Sequence, residues 1–235
     1  MIGRPIANNL EEQIKQIEIE KQWFEKFNLI RTGKLPSEPM DNSLLPQVSE
    51  KNKEYYFEDK FTNMICSLDT TNVNLVCAYE IWEKTLDSDI NEINKWAYNY
   101  LNSLHSYIIH DIKRFIDDVI SICWLFQQPE QVDFVGVDCI GTYLRKYNAG
   151  DHSFNDFDYF IDFFKEINDI DNAYKHHVSN NMMYVRSMDE ACILALCAKN
   201  NIGFSCPLLK LISLHDLVSE FNKFYEFWFN IIAKY

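Results

Sequence analysis

Residues 97–122 read AYNYLNSLHSYIIHDIKRFIDDVISI. Apolar side chains recur there at Ala97, Leu101, Leu104, Ile108, Phe115 and Ile122. The steps alternate four and three, the spacing that keeps one side of a helix against a core. The segment extends over 89–127, opened by Asp87-Ser88-Asp89 and stopped by Pro129. Unbroken, such a helix is about 55 Å long. A helix of that length needs other helices to cover it, and the rest of the chain supplies them.

The most regular partner is the C-terminal segment 214–233. Leu214, Leu217, Val218, Phe221, Phe224, Trp228 and Ile231 line one of its faces. Upstream, 53–86 reads as a helical block with a break expected near Asp69-Thr70-Thr71-Asn72. A further helix is expected over 154–178, opened by Ser153 and carrying Phe157, Phe160, Phe164, Ile167, Ile170 and Tyr174. Between them, 130–150 contains Gly136, Gly141 and Gly150, and fits a short strand or a short helix equally well. ACILALCA (191–198) and GFSCPLLKLISL (203–214) are the β-like stretches, with Lys199 to Ile202 as a hairpin turn and Pro207 placing the second strand at an edge. At the N-terminus, 9–29 reads as a helix through Ile14, Ile17, Trp23, Phe24 and Phe27, capped by Asn8 or Asn9. Pro36, Pro39 and Pro46 then mark a linker. The expected fold is mainly all-α: a helical bundle over 53–235 with a small β-hairpin insertion, and an N-terminal helical arm (1–30) on a proline-containing linker (31–52).

Composition bounds the function. The 235-residue chain carries a formal net charge of −13. Nucleic-acid affinity comes largely from Lys and Arg neutralising phosphates, so DNA binding is not expected. The seeds of a basic patch are DIKR (111–114) and YLRKY (143–147). The seven cysteines, at 66, 77, 123, 139, 192, 197 and 206, form no CxxC pair. They read as buried free thiols in a reducing compartment. No apolar h-region opens the chain and no apolar run reaches membrane-spanning length, so a cytoplasmic protein without a membrane partner is expected.

Polar residues in apolar stripes are the candidate sites. Extended by its own period, the seam of the long helix runs through Asp111 and Asp118. A buried carboxylate requires a partner. Arg114, Arg145, His105, His110 and the later histidines are the candidates, which makes Asp111, Asp118, Arg114 and Arg145 a binding set. His105 and His110 are five apart and do not share a face, so no metal and no cofactor is expected. The second cluster is INDIDNAYKHHVSNN (167–181). Asn172 and His176, and Asp171 and Lys175, are neighbours one turn apart. The cluster reads either as a capped helix end or as a polar site with a histidine acting as acid or base.

The order of these elements, a long helical pair, a later helix ending in Asn172-Ala173-Tyr174-Lys175-His176 and a closing helix, resembles the HEPN superfamily. In that family, an arginine and a histidine with four to six residues between them on one helix meet their copies at a dimer interface and cut RNA without metal. The resemblance implies a catalytic set of His176, His177, Lys175 and Asn172. It also implies self-association or a protein partner, RNA as a substrate, and a role in a bacterial or phage conflict system. The family's arginine is not matched, since Asn168, Asp169, Ile170 and Asp171 stand upstream. Arg145 and His152 match the spacing literally, but KYNAGD between them reads as a turn. The alternative is a non-enzymatic acidic module that binds a basic protein partner, so enzymatic activity stays open at this stage.

Overall fold

A long amphipathic helix is stable only where its apolar stripe is covered. In the computed structural model, which describes residues 10–38, 57–87, 95–128, 132–176, 189–197 and 208–232, the cover comes from both sides. The elements are α1 (Leu10–Lys26), α2 (Phe57–Asp87), α3 (Lys95–Phe126), α4 (Ile140–Asn148), α5 (Ile161–His176), β1 (Cys192–Cys197), β2 (Leu208–Ser213) and α6 (Leu214–Ile232). The protein is mainly α-helical with one small antiparallel hairpin. α3 packs along α2 on one flank and against α4 and α5 on another, with α6 closing the core. Lys60 near the start of α2 meets Asp118 near the end of α3, so the two long helices run antiparallel.

Aromatic packing explains the high aromatic content. Phe115 of α3 sits 5.4 Å from Phe221, 5.8 Å from Tyr225 and 5.5 Å from Trp228, all on α6. Phe157, Phe160 and Phe164 gather around Phe224. Aromatic pairs at these separations add to the burial of their surfaces.

Several local expectations are corrected. α2 runs unbroken through Asp69 to Asn72, because Thr71 Oγ1 donates back to the Ser67 carbonyl and Asn72 is fully buried with partners of its own. Ser153 does not open α5. Its N–H instead meets Asp151, and a 3₁₀ turn at Asp158–Phe160 leads into the helix. The undecided stretch resolves as α4. On α1, Ile14 is exposed and Glu20 is the buried residue, held by Ser37 through its N–H (2.9 Å) and Oγ (2.6 Å). The strands pair from Cys192↔Ser213 to Cys197↔Leu208. Lys199 to Ile202, Pro207, Asn8, Asn9 and residues 39–52 lie outside the described residues.

The segment after α1 is stitched into the body by amide side chains. Asn72 of α2 accepts the Ile30 N–H at 2.8 Å and donates to the Ile30 carbonyl at 2.9 Å. Asn222 of α6 accepts the Arg31 N–H at 2.9 Å and donates to the Leu29 carbonyl at 3.1 Å. Leu29 and Ile30 are buried between them. An asparagine side chain carries the same donor and acceptor as a peptide unit, so each substitutes for a neighbouring strand.

Candidate functional site

The apolar seam of α3 does not pass through Asp111 and Asp118. From Ile108 it steps four to Ile112 and continues through Phe115, Val119 and Ile122, all buried. Asp111 and Asp118 fall half-buried on the α2 side. Asp118 pairs with Lys60 at 2.9 Å. Burial raises the Asp111 carboxyl above its usual range, partly offset by His110, Arg114 and a hydrogen bond with Thr71. A helix bearing consecutive apolar pairs can be rotated by one residue without loss of periodicity, and here the core takes Ile112 in place of Asp111.

A polar seam between helices does exist, on the opposite flank. Asp171 of α5 has a side chain only 2 % exposed and lies 3.3 Å from His110 Nδ1 of α3. Its other oxygen takes Lys175 Nζ at 2.7 Å. One turn further along α3, Lys113 Nζ donates to Asp117 Oδ2 at 2.6 Å, and Asp117 Oδ1 accepts the N–H of Ile140 at 2.7 Å. Burial raises the Asp117 carboxyl, and the nearby Asp171 adds to the rise. Asp171 is the buried acid that Asp111 and Asp118 were expected to be, while Asp117 is half-buried like Asp118.

His110 is the reactive member of this group by geometry. Its side chain is 48 % exposed while its carboxylate is enclosed. A carboxylate at Nδ1 fixes that nitrogen as the N–H and leaves the Nε2 lone pair free. Tyr107 and Arg114, three residues before and four after, lie beside His110 on α3, and both are exposed. Lys175 and His176 are exposed at the end of α5. Together these residues make an aromatic and cationic strip on an otherwise acidic chain.

The other predicted residues are distributed as follows. Asn172 is half-buried one turn before His176. His177 lies outside the described residues. Arg145 is exposed on α4, its guanidinium 3.4 Å from Thr142 Oγ1, and does not reach the seam. His152 pairs with Asp158 at 3.2 Å. The turn read from KYNAGD is confined to its second half: Lys146 to Asn148 complete α4, and the chain turns at Ala149 and Gly150, whose φ is 76°. His105 is buried, and desolvation lowers its pKa to about 4. Among the described cysteines Cys123 is buried, Cys66 is exposed and the others are intermediate, so thiol burial was overestimated. Among the described residues no cluster of His, Cys, Asp and Glu could hold a metal ion, and no helix is long and apolar enough to cross a membrane.

Two features were missed in the sequence. Asp171 continues the apolar line of α5 from Phe164 and Ile167, which marks it as buried and in need of partners. A cationic hollow of about 360 Å³ lined by Lys21, Arg31 and Lys34 forms where the chain after α1 folds back. Lys34 there is committed to Asp69 at 2.7 Å. No protein-family model, curated protein or solved structure matches this chain.

Proposed function

We propose that this chain is a HEPN-like protein that acts on single-stranded RNA, with His110 as its acid–base residue. The observation that carries the reading is the enclosed Asp171 against Nδ1 of the half-exposed His110, within the strip formed by Tyr107, Arg114 and Lys175. An exposed aromatic ring offers a base a stacking face, and cations offer phosphates a partner. The resemblance at the end of α5 supports RNA as the substrate and a conflict-system setting, while the catalytic histidine moves from His176 to α3.

The step needs no metal. His110 Nε2 takes the proton of a ribose 2′-hydroxyl as that oxygen attacks the adjacent phosphorus. The phosphorus–O5′ bond breaks, and O5′ takes a proton from solvent. The products are a 2′,3′-cyclic phosphate and a 5′-hydroxyl. Asp171 stabilises the imidazolium as it forms, and Arg114 and Lys175 face the phosphate charge.

The test is cleavage of an RNA oligonucleotide in EDTA by the wild type, His110→Ala, Asp171→Asn and His176→Ala. Loss in His110→Ala, a fall of about 10²–10⁴ in Asp171→Asn and near-normal rates in His176→Ala support the assignment. Loss in His176→Ala alone returns the site to α5. No cleavage by wild type refutes the nuclease reading.

A further inference from the structure

The hairpin presents an apolar face that no described element covers. Ile193, Ala195 and Ile212 point into the core, so the alternate residues point outward. Those are Leu194 and Leu196 on β1, opposite Leu211 and Leu209 on β2. Leu209 is 60 % exposed and Leu211 is 56 % exposed. Leu208, on the other side of the strand, is also 58 % exposed, and three exposed leucines on one edge strand are unusual, because edge strands ordinarily carry charge. Among the described residues, no strand pairs with the far edge of β2.

Beside Leu211 lies a hollow of about 250 Å³, room for one long side chain. Its wall is acidic: Glu166 from α5, Glu190 before β1, and Asp216 and Glu220 from α6. None of its lining residues is a lysine or arginine, but Glu220 pairs with Lys223 of α6 at 2.6 Å. Four carboxylates from three parts of the fold thus converge at the end of the exposed leucines. The arrangement matches a segment that is apolar along its length and carries a cation at one end. A second copy of this chain fits poorly, since its net charge of −13 opposes close approach to an acidic wall.

We infer that the outer face of the hairpin docks an extended segment of a partner protein, with apolar side chains on Leu209 and Leu211 and a lysine or arginine in the acidic hollow. The β2 edge supplies the backbone groups for strand addition. This surface is separate from the His110 strip and does not depend on the RNA reading.

The experiment uses the full chain and a labelled short peptide of valines ending in two arginines, with a glutamate-ended peptide as control. Fluorescence anisotropy is read at low and high salt for wild type, Leu209→Asn/Leu211→Asn and Glu166→Gln/Glu220→Gln. Both variants are checked for folding by circular dichroism. The expected result is binding of the arginine peptide alone, weakened about tenfold or more by either double variant and by salt. Preserved binding in Leu209→Asn/Leu211→Asn overturns the proposal, as do equal binding of the glutamate peptide and no binding of either. Sedimentation of the same samples reads the other occupant. A wild-type dimer that the leucine variant dissolves makes the face a self-interface and overturns the partner assignment. His110→Ala is expected to bind the peptide normally.

Discussion

Asp117 Oδ1 accepts the N–H of Ile140 at 2.7 Å, so the first turn of α4 is capped by a carboxylate from α3. Cys139 occupies the N-cap position and makes no side-chain capping bond. Removing a cap costs about 1 kcal/mol. Removing Asp117 also strips Lys113, whose side chain is only 12 % exposed, of its carboxylate. Asp117→Ala is expected to lose about 2–4 kcal/mol in urea denaturation. Asp117→Asn, which can still accept from Ile140, is expected to lose less.

The asparagine clamp around residues 29–31 gives a second expectation. Asn72→Ala leaves the N–H and carbonyl of the buried Ile30 without that partner. The cost is about 2–4 kcal/mol for two buried backbone groups. Asn222→Ala acts on Arg31 and Leu29 at the more exposed side and is expected to cost less. Limited proteolysis should show new cleavage around Leu29 to Arg31 in Asn72→Ala. An unchanged digest there would refute the clamp.

His105 makes stability fall in weak acid. Its folded pKa is about 4 against the ordinary 6.5 of a histidine, because burial disfavours the charged ring. Between those values the unfolded chain holds more protons, so stability declines as pH drops, by about 1.4 kcal/mol per pH unit. Above pH 6.5 the contribution is flat. His105→Leu is expected to lose about 2 kcal/mol less than wild type between pH 7 and pH 5. Urea midpoints at the two pH values check this.

Binding and turnover of RNA should separate. Tyr107→Ala is expected to weaken binding of an RNA oligonucleotide by about 1–3 kcal/mol, the worth of a lost stacking face. Arg114→Gln should lower the slope of log affinity against log salt by about one. His110→Ala should bind with near wild-type affinity while losing cleavage. Equal binding by wild type, Tyr107→Ala and Arg114→Gln would remove the strip from the site.

Much of the architecture was legible because helical periodicity is a strong signal. Every stripe residue read on the last helix, from Leu214 to Ile231, is buried. The phase of α3 was harder. Ile108, Ile109, Ile112, Phe115 and Ile116 offer two adjacent stripes, and only packing chooses between them. The choice left Asp111 and Asp118 half-buried beside the seam. Asp171 was legible as the partner of Lys175, but its reach across to His110 was not, because the pair joins helices far apart in the chain. The α4 helix was undecided since its cap comes from α3, a tertiary contact that local sequence does not record.

The clamp on residues 29–31 also sets an order for synthesis. Asn222 reaches Arg31 across a sequence separation of 191 residues, and Asn72 reaches Ile30 across 42. A nascent chain can fasten the first side early, while the second waits until the first half of α6 has left the ribosome. Until then residues 29–31 have one of their two asparagine partners. Contacts of such long separation form slowly, so closure of this second side should be among the last events of folding.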